Sequence, residues 1–207
     1  MSILVLTSDT LSSPAAAGQI EYSSPIFAGT SIGTQRGIVP TQQYYRLDSA
    51  LAGANATGAQ SIFGVGVTLS ASTVYEFEMS FTLTKTAGIT SHTIAFGTGG
   101  TSTINNIFIN GFFNTATNST YGANSGPASF MSVSSTSTVL TGAITSAAEY
   151  FTAIFKGTVS VNAGGTFIPQ YTLSAAPGGA YSTVAGSFIR IAPLSASGAN
   201  TNVGTWA

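Results

Sequence analysis

Along residues 75–85 the chain alternates. Tyr75, Phe77, Met79, Phe81 and Leu83 are apolar, and Glu76, Glu78, Ser80 and Thr82 between them are polar. A period of two places each set on its own side of a pleated strand, so this run predicts a strand with one buried and one wet face. A second long run covers residues 149–161. Phe151, Ala153, Phe155, Val159 and Val161 share one side; Tyr150, Thr152, Ile154, Lys156, Thr158 and Ser160 share the other. Ile154 on the polar side predicts that this side too is partly covered.

Shorter β-like runs lie at residues 19–22, 43–48, 61–70, 93–96, 106–113, 129–134, 139–144, 166–173 and 187–192, with others at 3–6 and 203–206. Gly-, Asn- and Pro-rich stretches separate them, at 99–100, 114–127, 162–165, 176–179 and 195–202, and read as turns. Only 49–60 and 145–149 are Ala-rich enough to predict a helical turn, and Gly53 and Gly58 weaken the first. Many short strands between turns predict an all-β fold, an antiparallel β-sandwich or jelly roll. A fixed short repeat would argue for a β-helix and a heptad seam for a coiled coil; neither is present. Residues 1–50 carry Pro14, Pro25 and Pro40 and little sustained alternation. They read as an extended N-terminal arm or adapter beside a jelly-roll domain at 51–207, or as the first strands of the same sandwich.

Composition narrows the function. Of 207 residues only 5 are Lys or Arg and 6 are Asp or Glu, 5% in all, whereas Ser and Thr together number 58. Ordinary domains carry about 25% charged residues. A net charge of -1 gives no basic surface for a phosphate backbone, so no nucleic acid is expected as a partner. Zero Cys and one His exclude disulfide scaffolds, thiolate metal centres and His-rich metal sites. No run approaches 18 apolar residues, so no membrane partner is expected. The short apolar run at 3–6 has no basic residue before it and does not read as a secretory signal; synthesis in the cytoplasm of the producing cell is the expectation. So little charge is a poor basis for solubility, which points to a hydroxyl-rich surface or to one covered by partner subunits.

Candidate chemistry is sparse. Glu76 and Glu78 share a strand face roughly 6–7 Å apart, a spacing glycosidases use, but alternation alone already places them on the polar side. His92 sits at a loop–strand junction with no Gly-x-Ser-x-Gly elbow to make it part of a triad. Asp9 and Asp48 have no acidic neighbours for calcium. Gly64-Val65-Gly66 and Gly97-Thr98-Gly99-Gly100 lack nucleotide-binding spacing and read as a bend and a hairpin turn. No catalytic residue, cofactor or metal is expected. Arg36, Tyr44, Tyr45, Arg46 and Asp48 cluster in the N-terminal third and are candidates for a subunit or shell interface, where Arg often pairs with a carboxylate. Phe112, Phe113 and Tyr121, in or beside the stretch 114–127, are candidates for a receptor loop.

A resemblance adds to this reading. Pro14 to Tyr22, with Ala17-Gly18-Gln19-Ile20-Glu21-Tyr22, precedes Gln35-Arg36-Gly37-Ile38-Val39-Pro40. The pair resembles a segment of tailed-bacteriophage structural and fibre-like proteins, in which P-x-A-G-x-I-E-Y/F-D-G precedes R-G-V-x-P. Ser23-Ser24 stands where those chains tend to carry Asp-Gly. Lys156 to Gln170, with Val161-Asn162-Ala163-Gly164-Gly165-Thr166, is similar to their strand–turn–strand G-x-x-x-V-N-x-G-G-T-x-x-P. The resemblance implies a virion structural protein, with trimeric jelly-roll heads like those of tumour necrosis factor or C1q. A capsid decoration (cement) protein bound to the major capsid protein or another virion protein is the first expectation. A tail- or head-fibre tip binding a host surface glycan or receptor is the second.

Overall fold

The computed structural model describes residues 5–116, 128–133, 137–198, 200 and 202–206, and every regular element among them is a β-strand. Three short strands come first: β1 (Ile20–Ser23), β2 (Ile26–Ile32) and β3 (Gln35–Val39) form an antiparallel sheet of their own. Ser24-Pro25 is the two-residue turn between β1 and β2, and the facing rings of Tyr22 and Phe27 stack at 4.6 Å.

Thirteen strands follow: β4 (Gln43–Arg46), β5 (Leu51–Ala52), β6 (Gln60–Ser61), β7 (Val67–Leu69), β8 (Thr73–Lys85), β9 (Ile94–Gly99), β10 (Thr103–Ala116), β11 (Ala128–Ser132), β12 (Thr138–Val139), β13 (Glu149–Ala163), β14 (Gly165–Leu173), β15 (Ser182–Thr183) and β16 (Phe188–Ala196). Eight of them make one sheet. It runs β11-β10-β13-β8, and the far edge of β8 is shared between β16, which carries β4, and β15, which carries β5. The other five make a sheet in the order β12-β9-β14, with β6 and β7 both on the outer edge of β14. Between β4 and β16 the chain repeatedly crosses from one sheet to the other, the wiring of a jelly roll. The all-β sandwich expected from the alternation is the fold, and β4, which lies within the first 50 residues, belongs to its larger sheet.

The core lies where parity placed it. Tyr75, Phe77, Met79, Phe81 and Leu83 on β8, and Phe151, Ala153, Phe155, Val159 and Val161 on β13, are all buried. They meet the smaller sheet through rings: Phe77 lies 6.1 Å from Phe167, and Phe155 lies 4.9 Å from Phe96. Gly157 interrupts the apolar series of β13 because Phe77 fills the space. A Cβ there would lie 3.0 Å from the Phe77 ring and 1.9 Å from the Phe108 carbonyl oxygen.

Four local expectations are corrected. Gly99-Gly100 is not a hairpin turn but the corner that takes the chain from β9 in the smaller sheet to β10 in the larger. Gly100 has φ +111°, and a Cβ would strike the Thr166 carbonyl oxygen at 2.1 Å. Residues 49–60 form no helical turn. They carry β5 and the loop that follows it, which the Gln60 side chain holds by accepting from the Ala54 N–H at 2.6 Å and donating to the Ala54 and Ala56 carbonyls. Residues 145–149 are likewise not helical, and the run at 203–206 is not a strand.

Candidate functional site

The outward face of the larger sheet is built from the even-numbered residues of β8, β10, β13 and β16. Registers align them in rows. One row crosses six strands as Met131, Asn110, Lys156, Glu78, Arg190 and Tyr44. The next reads Ser129, Phe112, Ile154, Ser80, Phe188 and Arg46, and a third, on the other side, reads Phe108, Thr158, Glu76 and Ala192.

The first row carries the charge. Glu78 accepts from the Arg190 guanidinium at 2.6 Å and pairs with the Lys156 ammonium at 3.3 Å. The hydrogen bond from Arg190, with Lys156 behind it, holds the Glu78 carboxyl below the ordinary carboxylate value, against a smaller opposing effect of desolvation. Glu76 is exposed. The row borders a shallow trough of about 500 Å³, walled by Phe108 at one end and by Pro40 and Gln42 at the other. Apolar side chains flank it: Phe112, Met131 and Tyr44 are 64%, 65% and 58% exposed, with Ile154 and Phe108 also open. Most exposed residues of this kind are scattered; these share one face.

The expected interface residues separate. Tyr44 lies on that face, stacked on Phe188 at 5.7 Å. Tyr45 points the other way, into an apolar mouth of about 350 Å³ between the sheets, beside Phe63, Val67 and Phe167. Arg46 pairs with its neighbour Asp48, both exposed. Arg36 is engaged within its own chain: its guanidinium bonds Glu21 at 2.9 Å and the Ser12 carbonyl oxygen at 2.6 Å. The Ser12 N–H and hydroxyl, then Arg36, hold the Glu21 carboxyl below its ordinary value. Of the receptor-loop candidates, Phe112 is exposed on the outer face. Phe113, one residue on, turns into the core and stacks on Phe151 at 5.5 Å, so it cannot meet a ligand. Tyr121 lies outside the described residues.

A second polar group was not expected. Lys85 and Glu149 stand opposite each other on β8 and β13, both buried, with Lys85 Nζ 3.3 Å from Glu149 Oε1. The ammonium also donates to the carbonyl oxygens of Gly88 at 2.8 Å and Ser146 at 2.5 Å. Tyr181 OH donates to Glu149 Oε2, and His92 Nε2 lies 2.8 Å from that hydroxyl. His92 Nδ1 donates to the Thr90 carbonyl oxygen at 2.7 Å, since a carbonyl only accepts. His92 is therefore an anchored core residue rather than a lone one. Burial first, then the bond to Glu149, pushes the Tyr181 phenol far above its ordinary value, and burial pushes Tyr171 up to about 12. Parity was the available signal: 85 continues the odd series of β8, and 149 begins that of β13.

Among the described residues no three His, Cys, Asp or Glu side chains converge as a metal site, and no helix is long and apolar enough to cross a membrane. Comparison with known proteins finds no matching family model, no matching curated protein and no matching solved structure.

Proposed function

We propose that the chain is a non-enzymatic structural protein of a bacteriophage virion, acting as a homo-oligomer, in first place a trimeric decoration protein on the head surface. The observation that carries the reading is the larger sheet's outward face. Phe112, Met131, Ile154, Phe108 and Tyr44 stand open on one surface of a chain that is only 5% charged. Such a protein functions by burying area between copies and against a shell. The phage-like motifs are consistent with this, since they fall on β1 to β3 and on the β13–β14 turn. A fibre tip that binds a host glycan is the second reading, favoured by the exposed Phe112 near the end of β10.

The test is the copy number of the chain in purified particles, measured by quantitative mass spectrometry against the major capsid protein. Hundreds of copies at a fixed ratio to the shell protein are expected. A few tens or fewer would shift the role to a fibre or vertex appendage. Complete absence from the particles would overturn the virion reading.

A further inference from the structure

We infer that the outward face of the larger sheet is the surface on which a second copy of this chain docks, with Phe112 and Ile154 as its apolar anchors and Lys156–Glu78–Arg190 as its polar strip. This rests on the homo-oligomer reading above and names the surface that reading requires.

Size is the first argument. Six strands at about 4.8 Å spacing make the face roughly 29 Å wide along the β8 residues Phe77 to Ser80, and about four strands continue it, roughly 19 Å wide, over the rest of the roughly 27 Å rise from Glu76 to Thr84. That is about 650 Å², inside the range of roughly 600–1,000 Å² that each partner contributes to a standard-size interface. The anchors are the second. Phe112 and Ile154 are direct cross-strand neighbours, Met131 stands one row along beside Phe112, and Phe108 and Tyr44 lie further out on the same face. An apolar centre with a polar strip beside it is the anatomy of a protein–protein contact.

Charge identifies the occupant. Lys156, Arg190 and Arg46 stand against Glu76, Glu78 and Asp48, the carboxylate that Arg46 pairs with, so the face offers nothing to a strongly acidic or basic partner. The chain itself is such a weakly charged partner, at net -1. It also has little charge of its own to keep an open apolar face in solution, and another copy is the partner present from the moment of synthesis. In a closed ring each copy covers the next, so no such face remains open.

The experiment is sedimentation equilibrium on the purified full chain, with Phe112→Glu and Ile154→Glu beside the wild type and circular dichroism melts to report folding. The wild type is expected at a multiple of 20.9 kDa, and each variant at the monomer mass with at least a 100-fold weaker association. Ile89→Glu, 73% exposed in the loop after β8, is expected to keep the wild-type mass. Because the chain has no Cys, Asn110→Cys gives a milder probe: a maleimide should label it at least 10-fold more slowly in the oligomer than it labels Ile89→Cys. Folded glutamate variants that retain the wild-type mass, or equal labelling of the two cysteines, would overturn this surface while leaving the virion reading to the copy-number measurement. A wild type that is monomeric at about 100 μM would overturn copy-on-copy docking here and leave the trough to a glycan or another protein.

Discussion

The β8–β13 strand pair carries two ion-pair clusters that face opposite ways. At one place Glu78 meets Lys156 and Arg190 on the outward side. Seven rows along, Lys85 meets Glu149 on the inward side. Each puts a carboxylate against a cation across the same two strands. The outward group keeps contact with water and is screened by salt. The inward group has given up its water, and carbonyl oxygens and a phenol replace it. One step of parity thus separates a pair worth little to stability from one that cannot be broken cheaply.

Breaking the inward cluster is therefore the largest expected effect. Glu149→Gln removes the charge that faces Lys85 and should cost about 3–5 kcal/mol in denaturant melts, the range for a buried charge left without its partner. Glu78→Gln should cost no more than about 1 kcal/mol. Equal costs would mean that the two environments are not the different ones described. Gly157→Ala comes next, at about 1–3 kcal/mol of overpacking, because its Cβ meets backbone that cannot swing aside. A neutral Gly157→Ala would show that β10 and β13 separate more easily than their register implies.

The contrast also shows what the sequence could reveal. Parity was legible: the odd residues 75–83 and 151–161 form the core, as alternation predicts, and the same rule carried to the ends of the two runs places Lys85 and Glu149 inside. Their meeting was not legible. It requires the antiparallel register that sets residue 85 opposite 149, and register depends on turns and neighbouring strands far along the chain. Tyr181 and His92 reach the cluster from other segments, so no local pattern announces them. The outer face was half legible. Ile154 stood out as an apolar residue in a polar series, but Phe112 and Phe113 are chemically alike, and only their places on β10 send one outward and the other into the core. The sheet of β1 to β3 was the least legible, because its strands are short and its buried positions, Ile26, Ala28 and Thr30, mix apolar with polar residues.

Alkali should probe the inward side. Tyr171 is buried and its phenol is pushed up to about 12, against an ordinary value near 10. Above pH 10 the unfolded chain releases a proton that the folded chain keeps, so the native state binds more protons and stability falls as pH rises. The contribution is complete below pH 10 and lost between about 10 and 12. At pH 11 it amounts to about 1 kcal/mol for Tyr171. The raised Tyr181 phenol acts in the same direction. Urea midpoints should fall over this window in the wild type and fall less in Tyr171→Phe. An equal fall in both would mean that Tyr171 is not buried as described.

The smallest effect belongs to the outward cluster and sharpens the comparison from its other side. Glu78 is held below the ordinary carboxylate value of about 4.5, first by its bond from Arg190 and then by Lys156. A depressed carboxyl contributes stability that is present above its unfolded value and is lost as pH falls through its folded one, so this contribution disappears only below about pH 4.5. Water and salt limit it to at most about 1 kcal/mol. The clearer readout is the side-chain carboxyl carbon of Glu78 followed by NMR during an acid titration. Its midpoint should lie below 4.5 in the wild type, rise most in Arg190→Ala, and rise less in Lys156→Ala. In the monomeric Phe112→Glu variant it should also rise as salt is added, because there the pair is open to the solvent. In the wild-type oligomer a docked copy keeps this face from water, so the same midpoint should move less with salt. Equal salt responses in the two proteins would mean that no copy covers the outward cluster.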